Sequence, residues 1–446
     1  MTTTIENLDQ AESNAEASSV SRRGFLAFAG LGGATFAAVS ALGNQYAFAT
    51  PGNTAQGDVL VFVFNRGGMD GLNVVAPYRM PTYQALRPGI RVKPPEDFSG
   101  PNAGAGLPLD QGGAVANFAL SGVFGLNPGM TALHQGPWAN GHLAVVHAAG
   151  MPASESATRS HFESQRNWES GSASIGVTDG FLNRHLAAFN DRSGVAAVGR
   201  GSALQMMLRG NVPAFSMSSI ASFGVRGFAN NSRATTALAS MYTSGGDLLS
   251  STGAETLSVT SMVAGLPDPG PQNGATYGYD SLAQGLREAA RLIRANVGLR
   301  AVVIDDGGWD THTNMGAPED PNSYFRRRTG EFSNALAAFY TDLGAQMDEV
   351  TLVTMSEFGR TINENSSGGT DHGRGTAMFV MGRNVNGGVY GDFPTSIADG
   401  PEGDLVVAND YRRIISEVLT KRMPGSDMAT VFPRYSQQSV LGLLAA

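Results

Sequence analysis

The sequence predicts an α/β fold in which a mainly parallel sheet carries helices on both faces. The first observation is that short apolar runs and longer amphipathic segments alternate along the chain. The second is that Asp58–Phe64 (DVLVFVF) is apolar on both faces, as the central strands of parallel sheets are. The third is the helical periodicity of Tyr279–Asn296, which is typical of an amphipathic helix. The chain shows no internal repeat and no heptad pattern.

The individual elements follow from local composition and periodicity. Strands are predicted at Asp58–Phe64, His142–Ala148, Gly194–Val198, Leu299–Ile304, Thr351–Thr354 and Met378–Met381. Helices are predicted at Met130–Ala139, His161–Ser170, Asp179–Asn190, Tyr279–Asn296, Asn322–Leu343, Asp410–Thr420 and Ser436–Leu444. Residues 81–129 are rich in Pro, Gly and Asn, which predicts a long surface excursion with little regular structure. Residues 201–271 predict a helical insertion.

The N-terminus has the pattern of an export signal. Ser21-Arg22-Arg23-Gly24 is a twin-arginine motif, a Gly/Ala-rich apolar run follows it, and Ala47-Phe48-Ala49 fits a small-x-small cleavage site. The alternative is a transmembrane anchor, but the run is short and rich in glycine. We therefore predict a twin-arginine signal peptide at residues 1–49 and a mature domain at residues 50–446, periplasmic or extracellular, without stable membrane insertion after cleavage.

Composition excludes several classes of function. The 446-residue chain has a formal net charge of −8 and only two lysines, Lys93 and Lys421, so nucleic acid is a poor partner for it. The absence of cysteine excludes disulfides, thiolate zinc sites, cysteine nucleophiles and a cysteine-derived formylglycine. A chain of this length can bury a sufficient core without such cross-links.

Polar side chains follow several predicted strands at the point where each strand ends. In open α/β sheets, ligands bind beyond the carboxyl ends of the strands. The candidate ligands in these Gly-rich loops are Asp70, Asp310, His312, Glu357, Asp371 and His372. Carboxylates combined with imidazoles suit zinc, manganese or iron, whereas oxygen-only sets suit magnesium or calcium. Taken singly, each Asp is more often a turn or helix cap, and each His a core residue; together they predict a metal or phosphate-type site.

Ser160 is the candidate nucleophile. It precedes the predicted helix His161–Ser170, and its spacing to Glu163 matches a capping box. A hydroxyl at a helix N-terminus lies where an anion is stabilised, and Arg159 beside it could hold an oxyanion. The alternative is a purely structural cap. Thr158 and Ser156 are rivals for the nucleophile, and His161 either points into the site or packs.

Four other histidines are interpreted as structural. They are His134, His142, His147 and His185, which lie within predicted helices and strands and away from the polar loops. The exception to consider is His147, because it lies near the end of its strand.

Five motifs carry a resemblance to a known family. They are NRGGMDGLNVVAPY, RSHFESQ, GGWDTH, SEFGRT and DHGRGTAMFVMG. From about residue 57 to the C-terminus the chain resembles the bacterial exported proteins of the domain of unknown function 1501 family, which belong with the alkaline phosphatase-like and sulfatase-like superfamily. The resemblance implies a three-layer α/β/α sandwich with a mostly parallel central sheet and a metal site at the strand ends.

The resemblance also implies roles for single residues. Asp70 resembles the first metal aspartate, and Ser160 falls at the position of a nucleophile. Asp310 and His312 resemble the ligands of one metal, and His372 resembles the late histidine. Glu357-Phe358 stands where the superfamily has an Asp-His pair, so one imidazole is missing and a single metal is an alternative to two.

These observations predict an exported, metal-dependent hydrolase of phosphate or sulfate esters. The predicted metal ligands are Asp70, Asp310, His312, Glu357 and His372, and the predicted catalytic residues are Ser160, Arg159 and Arg360. Zinc is the favoured cofactor, with calcium, magnesium and manganese as alternatives. The expected partners are a small-molecule or polymer-attached ester and the twin-arginine export machinery. The alternative function is a non-catalytic exported binding protein that keeps the fold.

Overall fold

A computed structural model describes residues 58–98, 104–110, 122–189, 195–223, 231–243, 248–397 and 403–445. The predicted signal peptide at residues 1–49, with its cleavage site, lies outside these ranges. Among the helices within them, none combines the length and the apolar character that crossing a bilayer requires.

The strands form one large sheet and one small sheet. Their bounds are β1 (Val59–Asn65), β2 (Val75–Ala76), β3 (Leu107–Pro108), β4 (Gly125–Leu126), β5 (Leu143–Gly150), β6 (Ala197–Arg200), β7 (Phe215–Met217), β8 (Ala301–Asp306), β9 (Val350–Met355), β10 (Thr376–Met381), β11 (Gly388–Tyr390) and β12 (Asn409–Asp410). The large sheet has the order β11-β5-β10-β9-β1-β8-β6-β7, with β12 also pairing with β5. The small sheet has the order β2-β4-β3.

The large sheet is mostly parallel. Strand β1 lies between β8 and β9 and is parallel to both, and β6 is parallel to β7 and β8. Strand β10 is antiparallel to both of its neighbours, β5 and β9. Strands β5 and β9 therefore run in the same direction, so their carboxyl ends and the amino end of β10 meet at one edge of the sheet.

The helices lie on both sides of this sheet. They are α1 (Gly71–Val74), α2 (Pro81–Leu86), α3 (Thr131–Leu133), α4 (His161–Ser170), α5 (Phe181–Leu186), α6 (Asn231–Thr243), α7 (Leu248–Ala264), α8 (Ser281–Arg294), α9 (Tyr324–Leu343), α10 (Tyr411–Arg422) and α11 (Met428–Val431). Short 3-10 turns lie at Pro95–Asp97, Pro128–Met130, Met206–Leu208, Ile220–Ser222 and Gly344–Asp348, and a π-helical turn lies at His134–Trp138.

Strand β1 shows why the fold has three layers. Its alternate residues point to opposite faces, and both faces are apolar and buried. Val61 and Val63 belong to the core covered by α8 and α9, while Leu60 and Phe62 belong to the core covered by α5, α10 and α11. The predicted α/β/α sandwich with a mostly parallel central sheet is confirmed.

For the part of residues 81–129 that the structure describes, the predicted surface position is wrong, whereas the predicted scarcity of regular structure is confirmed. This segment contains α2, β3 and β4, and Tyr83, Ile90, Val92 and Phe124 are at most 1% exposed. Its Pro and Gly residues allow tight turns between short elements, and its scattered apolar residues join the main core. Local composition indicated turns correctly but could not show where the segment packs.

The predicted helix at Ser436–Leu444 is also absent. The chain there is irregular, and the backbone N–H groups of residues 441–444 donate to the buried carboxylate of Glu417. These donors are satisfied by α10 instead of by carbonyls of their own helix, so tertiary contact overrides local propensity here.

The segment 201–271, predicted as a helical insertion, contains elements of two kinds. Helices α6 and α7 pack on each other through Leu238, Tyr242 and Leu257. Strand β7 in the same segment pairs with β6 at the edge of the large sheet. The helical part therefore begins after an edge strand of the main fold.

Candidate metal centre

Four side chains meet at the edge of the sheet where β5 and β9 end. Asp310 and His312 lie in the loop after β8, and His372 lies just before β10. His161 is the first residue of α4, which follows β5. Parallel strands bring their following loops to a common edge, and the reversed direction of β10 brings the preceding loop to the same edge.

The Nε2 atoms of the three histidines converge on the carboxylate of Asp310. His312 Nε2 lies 3.2 Å from Asp310 Oδ1, and His372 Nε2 lies 3.4 Å from the same oxygen. His161 Nε2 lies 3.6 Å from Asp310 Oδ2, and the Nε2 atoms of His312 and His372 are 3.0 Å apart. We call His161, Asp310, His312 and His372 the His/Asp cluster.

The other ring nitrogen of each histidine is held by an oxygen. His161 Nδ1 lies 2.8 Å from Glu357 Oε1, and His312 Nδ1 lies 2.9 Å from Asp371 Oδ1. His372 Nδ1 lies 2.9 Å from the carbonyl oxygen of Arg159. An oxygen acceptor at Nδ1 places the proton there and leaves the Nε2 lone pair for a metal, which is the usual arrangement around metal-binding histidines.

The His/Asp cluster fits a metal ion. A tetrahedral zinc ion with bonds of about 2.0–2.1 Å requires ligand atoms roughly 3.3 Å apart. The distances from the three Nε2 atoms to the Asp310 carboxylate, 3.2, 3.4 and 3.6 Å, are close to that value. Ligand atoms of His161, Asp310 and His372 lie within 4.8 Å of one another. His161 Nε2 is buried and has no hydrogen-bond partner among the described residues, as expected of an atom whose natural partner is a metal.

Arg360 positions Asp310. Its side chain is fully buried, and its Nε and Nη1 atoms donate to the carbonyls of Gly68 and Thr370. Its Nη2 atom lies 2.5 Å from Asp310 Oδ1. Burial would raise the pKa of Asp310, but the hydrogen bond and charge of Arg360 outweigh it and hold that pKa below its usual value. Asp310 is thus kept as an anion.

Glu357, predicted as a ligand, lies behind His161. Its carboxylate is fully buried and accepts from the backbone N–H of Gly67 and from Gln165 Nε2, both at 2.9 Å, besides its bond to His161. Burial raises the pKa of Glu357, but these hydrogen bonds lower it more. The structure therefore brings Glu357 to the cluster as a support for His161.

The pKa values of His161 and His372 are shifted in opposite directions. The hydrogen bond that His161 Nδ1–H donates to Glu357 raises the pKa of His161 above its usual value despite burial. Burial, together with the charges of Arg360 and His161, lowers the pKa of His372.

Asp70, another predicted ligand, is engaged elsewhere. It is fully buried, lies 2.8 Å from Arg87 Nη1, and accepts from the hydroxyl of Thr370 and the backbone N–H of Asn73. This ion pair neutralises the carboxylate, so the structure gives Asp70 a cationic partner other than a metal. Asp310, His312 and His372 are the predicted ligands that the structure brings together.

Ser160 occupies the N-cap position of α4 but makes no capping hydrogen bond. The predicted hydrogen bond from the Ser160 side chain to this helix end is absent. Instead, the hydroxyl of Thr158 lies 2.5 Å from Glu163 Oε2 and accepts a hydrogen bond from the backbone N–H of Ser160. The side chain of Ser160 is exposed next to His161. Arg159 Nη2 lies 2.5 Å from Asp404 Oδ2.

His161 is the candidate ligand that sequence reasoning left open. Its signal is the motif RSHFESQ, in which His161 and Gln165 are four residues apart and therefore on one helix face. Both contact Glu357 Oε1 in the structure. Without the fold, nothing indicated that this face meets the loop after β9.

The four histidines predicted to be structural lie outside the His/Asp cluster. His147 is buried, with Nε2 near the carbonyls of Gly71 and Val75, and burial lowers its pKa to about 4. His185 Nδ1 contacts Ser426, and burial lowers its pKa to about 4 as well. His134 contacts the carbonyl of Pro108, and His142 contacts the hydroxyl of Tyr340.

The motifs around this centre define a family. Residues 58–410 match the model of the family described as "Protein of unknown function (DUF1501)", which is most of the chain. The chain belongs to the DUF1501 family. No functionally curated protein sequence matches it.

Several solved structures resemble this DUF1501 protein at low identity. The C-terminal periplasmic domain of EcEptC from Escherichia coli, in a complex with Zn, is 11% identical with a TM-score of 0.35, covering 89% of this chain and 92% of that one. The alkaline phosphatase of the Antarctic bacterium TAB5 is 12% identical with a TM-score of 0.29, covering 75% and 95%. The lipoteichoic acid synthase LtaP of Listeria monocytogenes is 11% identical with a TM-score of 0.26, covering 75% and 68%. Such superpositions are loose, so the chemistry rests on the residues of the site.

Proposed function

We propose that this DUF1501 protein is an exported, metal-dependent hydrolase of phosphate or sulfate esters. The observation that carries the proposal is the His/Asp cluster, in which three Nε2 atoms converge on one carboxylate while each Nδ1 is held by an oxygen. Nitrogen ligands with one carboxylate favour zinc over magnesium or calcium. The substrate is a small-molecule or polymer-attached ester outside the cytoplasm.

The residues of this chain have separate tasks in the proposed site. His161, His312, His372 and Asp310 would hold the ion, which when bound would supply Lewis acidity toward an ester oxygen. Glu357 and Asp371 fix the imidazoles, and Arg360 fixes Asp310.

Ser160 is the proposed nucleophile. Its side chain is exposed and precedes His161 directly, whereas the hydroxyl of its rival Thr158 is bonded to Glu163. Ser156 is also engaged, because its hydroxyl accepts from Asn167. The carbonyl of Arg159 contacts His372 of the cluster. We propose that the guanidinium of Arg159 leaves Asp404 and contacts the oxyanion.

One observation favours the alternative, a non-catalytic binding protein that retains a metal. Arg159 and Arg360, the two arginines among the predicted catalytic residues, are both paired with carboxylates. In that alternative the centre binds an anion or a structural ion without turnover.

The test combines metal analysis with turnover on the full exported protein. We expect about one zinc per chain by elemental mass spectrometry, together with hydrolysis of an aryl phosphate or aryl sulfate that a chelator abolishes. His161→Ala should lose most of the metal, and Glu357→Gln should weaken metal affinity by about 10- to 100-fold because it removes the support of a ligand. His142→Ala, a partly exposed histidine elsewhere, is the matched control and should keep both properties.

The possible results separate the two functions. Bound metal with ester turnover supports the hydrolase. Bound metal without turnover of any aryl ester, with zinc, manganese, magnesium or calcium, favours the binding protein. A parent protein without metal affinity would overturn both proposals.

A further inference from the structure

Charged groups around the His/Asp cluster nearly cancel. Asp310 belongs to the cluster and is paired with Arg360, while Glu357 and Asp371 contact its histidines. Asp404 lies further out, paired with Arg159 and Arg374, and the carbonyl of Arg159 contacts His372. The inventory is therefore four carboxylates and three arginines. Metal binding keeps the imidazoles neutral. With a divalent ion in place, this inventory leaves a single surplus positive charge.

The three arginines are already paired. Arg360 is fully buried and bonded to Asp310 and to backbone carbonyls. Arg159 and Arg374 share one oxygen, Asp404 Oδ2, at 2.5 and 3.2 Å. Burial raises the pKa of Asp404, the two guanidinium groups oppose that rise, and we count the carboxylate as ionised at pH 8. Arg159, Arg374 and Asp404 together therefore contribute one positive charge.

Neighbouring ion pairs add no positive surplus. Asp70 and Arg87 form a buried pair in which the charges cancel. Arg66, at the end of β1, is shared between Glu169 and Asp305, which leaves that group negative. Among the described residues around the site, no group thus supplies the additional cation that a doubly charged ligand would require.

The charge of an ester depends on its class. A phosphate monoester carries about −1.5 to −2 at neutral pH. A phosphodiester and a sulfate monoester each carry a single negative charge. The site is open to solvent, since half of the Asp310 side chain is exposed, which reduces the cost of an uncompensated charge. At contact distance that cost still favours the ester whose charge matches the surplus of the site.

We propose that the site takes singly charged tetrahedral esters, a phosphodiester or a sulfate ester, in preference to a phosphate monoester. This inference rests on the proposed function and names its substrate class. Because the preference comes from the balance of charge at the His/Asp cluster, we expect it in binding as well as in turnover.

A small pocket lies beside the cluster. Apart from one carboxylate and one guanidinium, its walls are hydroxyl, amide, backbone or apolar groups; the charged pair is Glu357 and Arg374, and Ser156, Trp168 and Phe358 are among the others. Its volume of about 20 Å³ is that of one or two water molecules, and its two charges cancel, so this pocket adds no positive surplus either.

Binding of inert methyl esters tests the inference without turnover. With the zinc-loaded full chain at pH 8, calorimetry compares dimethyl phosphate, methyl sulfate and methyl phosphate. We expect one of the two monoanions to bind at least tenfold more tightly than the dianion. Which monoanion binds better distinguishes the phosphodiester from the sulfate ester. Tenfold tighter binding of methyl phosphate would overturn the inference.

A charge variant tests the cause. Asp371→Asn retains an oxygen acceptor for His312 Nδ1 and removes one negative charge. It should shift the ratio of dianion to monoanion affinity toward the dianion by roughly three- to tenfold. Asp348→Asn, an exposed ion-pair residue before the amino end of β9, is the matched control and should leave the ratio unchanged. An unchanged ratio in Asp371→Asn overturns the electrostatic cause.

Turnover of the corresponding aryl esters separates this inference from the proposed function. Faster turnover of the aryl diester or aryl sulfate than of the aryl monoester supports both. Faster turnover of the monoester overturns the inference and leaves the hydrolase standing. Selective monoanion binding without turnover overturns the hydrolase and leaves the inference standing. Loss of both binding and turnover overturns both.

Discussion

At the residue scale, substitution of Ser160 can distinguish a structural role as a helix cap from a chemical role as a nucleophile. A side chain at an N-cap position usually accepts a hydrogen bond from the helix, and removing that bond costs about 1 kcal/mol. Ser160 makes no such bond, because Thr158 and Glu163 interact instead. Loss of the Ser160 hydroxyl should therefore reveal chemistry with little change in folding.

We expect the free energy of unfolding of Ser160→Ala to lie within about 0.5 kcal/mol of that of the parent protein, as is usual for surface substitutions. Metal content should be unchanged, and turnover of the preferred aryl ester should be lost if Ser160 is the nucleophile. Chemical denaturation, elemental analysis and steady-state kinetics measure the three quantities. Ser160→Gly is the control for backbone effects. Full activity in both variants would assign the reaction to Thr158 or to activated water.

At the element scale, helix α5 is fixed by a buried histidine. His185 lies on the inner side of α5, fully buried, with Nδ1 2.6 Å from the hydroxyl of Ser426. Burial disfavours the charged imidazole and lowers the pKa of His185 from its ordinary value of about 6.5 to about 4. The unfolded chain therefore binds a proton at higher pH than the folded chain does.

This difference gives a signed pH dependence. The stability that neutral His185 contributes is fully present above about pH 6.5 and is lost as the pH falls toward 4, by about 3 kcal/mol in total. His185→Leu should flatten the dependence of unfolding free energy on pH between 6.5 and 4 by up to that amount. Denaturant titrations of metal-free protein measure it, so that loss of metal makes no contribution.

His142→Leu is the comparison variant. Its imidazole is only partly buried, so its removal should change the slope less. A His185→Leu variant with the same slope as the parent protein would show that the histidine titrates normally in the folded state.

At the scale of the whole molecule, the core is consistent with folding before export. Two buried apolar clusters flank the central sheet, and the chain contains no cysteine to form cross-links afterwards. The twin-arginine route accepts folded proteins, so we propose that this protein acquires its fold before it crosses the membrane.

Replacing Arg22 and Arg23 by lysine should therefore trap the precursor inside the cell, because lysine keeps the charge but not the guanidinium pair. Cell fractionation measures the trapped amount, and N-terminal sequencing of the exported parent should begin near Thr50. Arg383→Lys, at an exposed ion pair of the mature domain, should be exported normally. Exported protein that still begins at Met1 would contradict the predicted cleavage.

The sequence by itself determined the order of the main strands and helices along the chain. Residues such as Leu60 and Phe62 in a strand that is apolar on both faces indicate a central position in a parallel sheet, because both faces of such a sheet are covered. It also determined that Asp310, His312 and His372 follow or precede strands at the edge where sites form.

Only the tertiary structure decided which of these residues share an environment. Asp70 pairs with Arg87, Glu357 accepts a hydrogen bond from His161, and residues 441–444 donate to Glu417. None of these partners could be identified from the local sequence pattern. Local periodicity reports which face of an element is apolar, but it carries no information on which distant element that face meets. The ligand role proposed for His161 depends on a contact between the start of α4 and the loops after β8 and β9, which only the fold reveals.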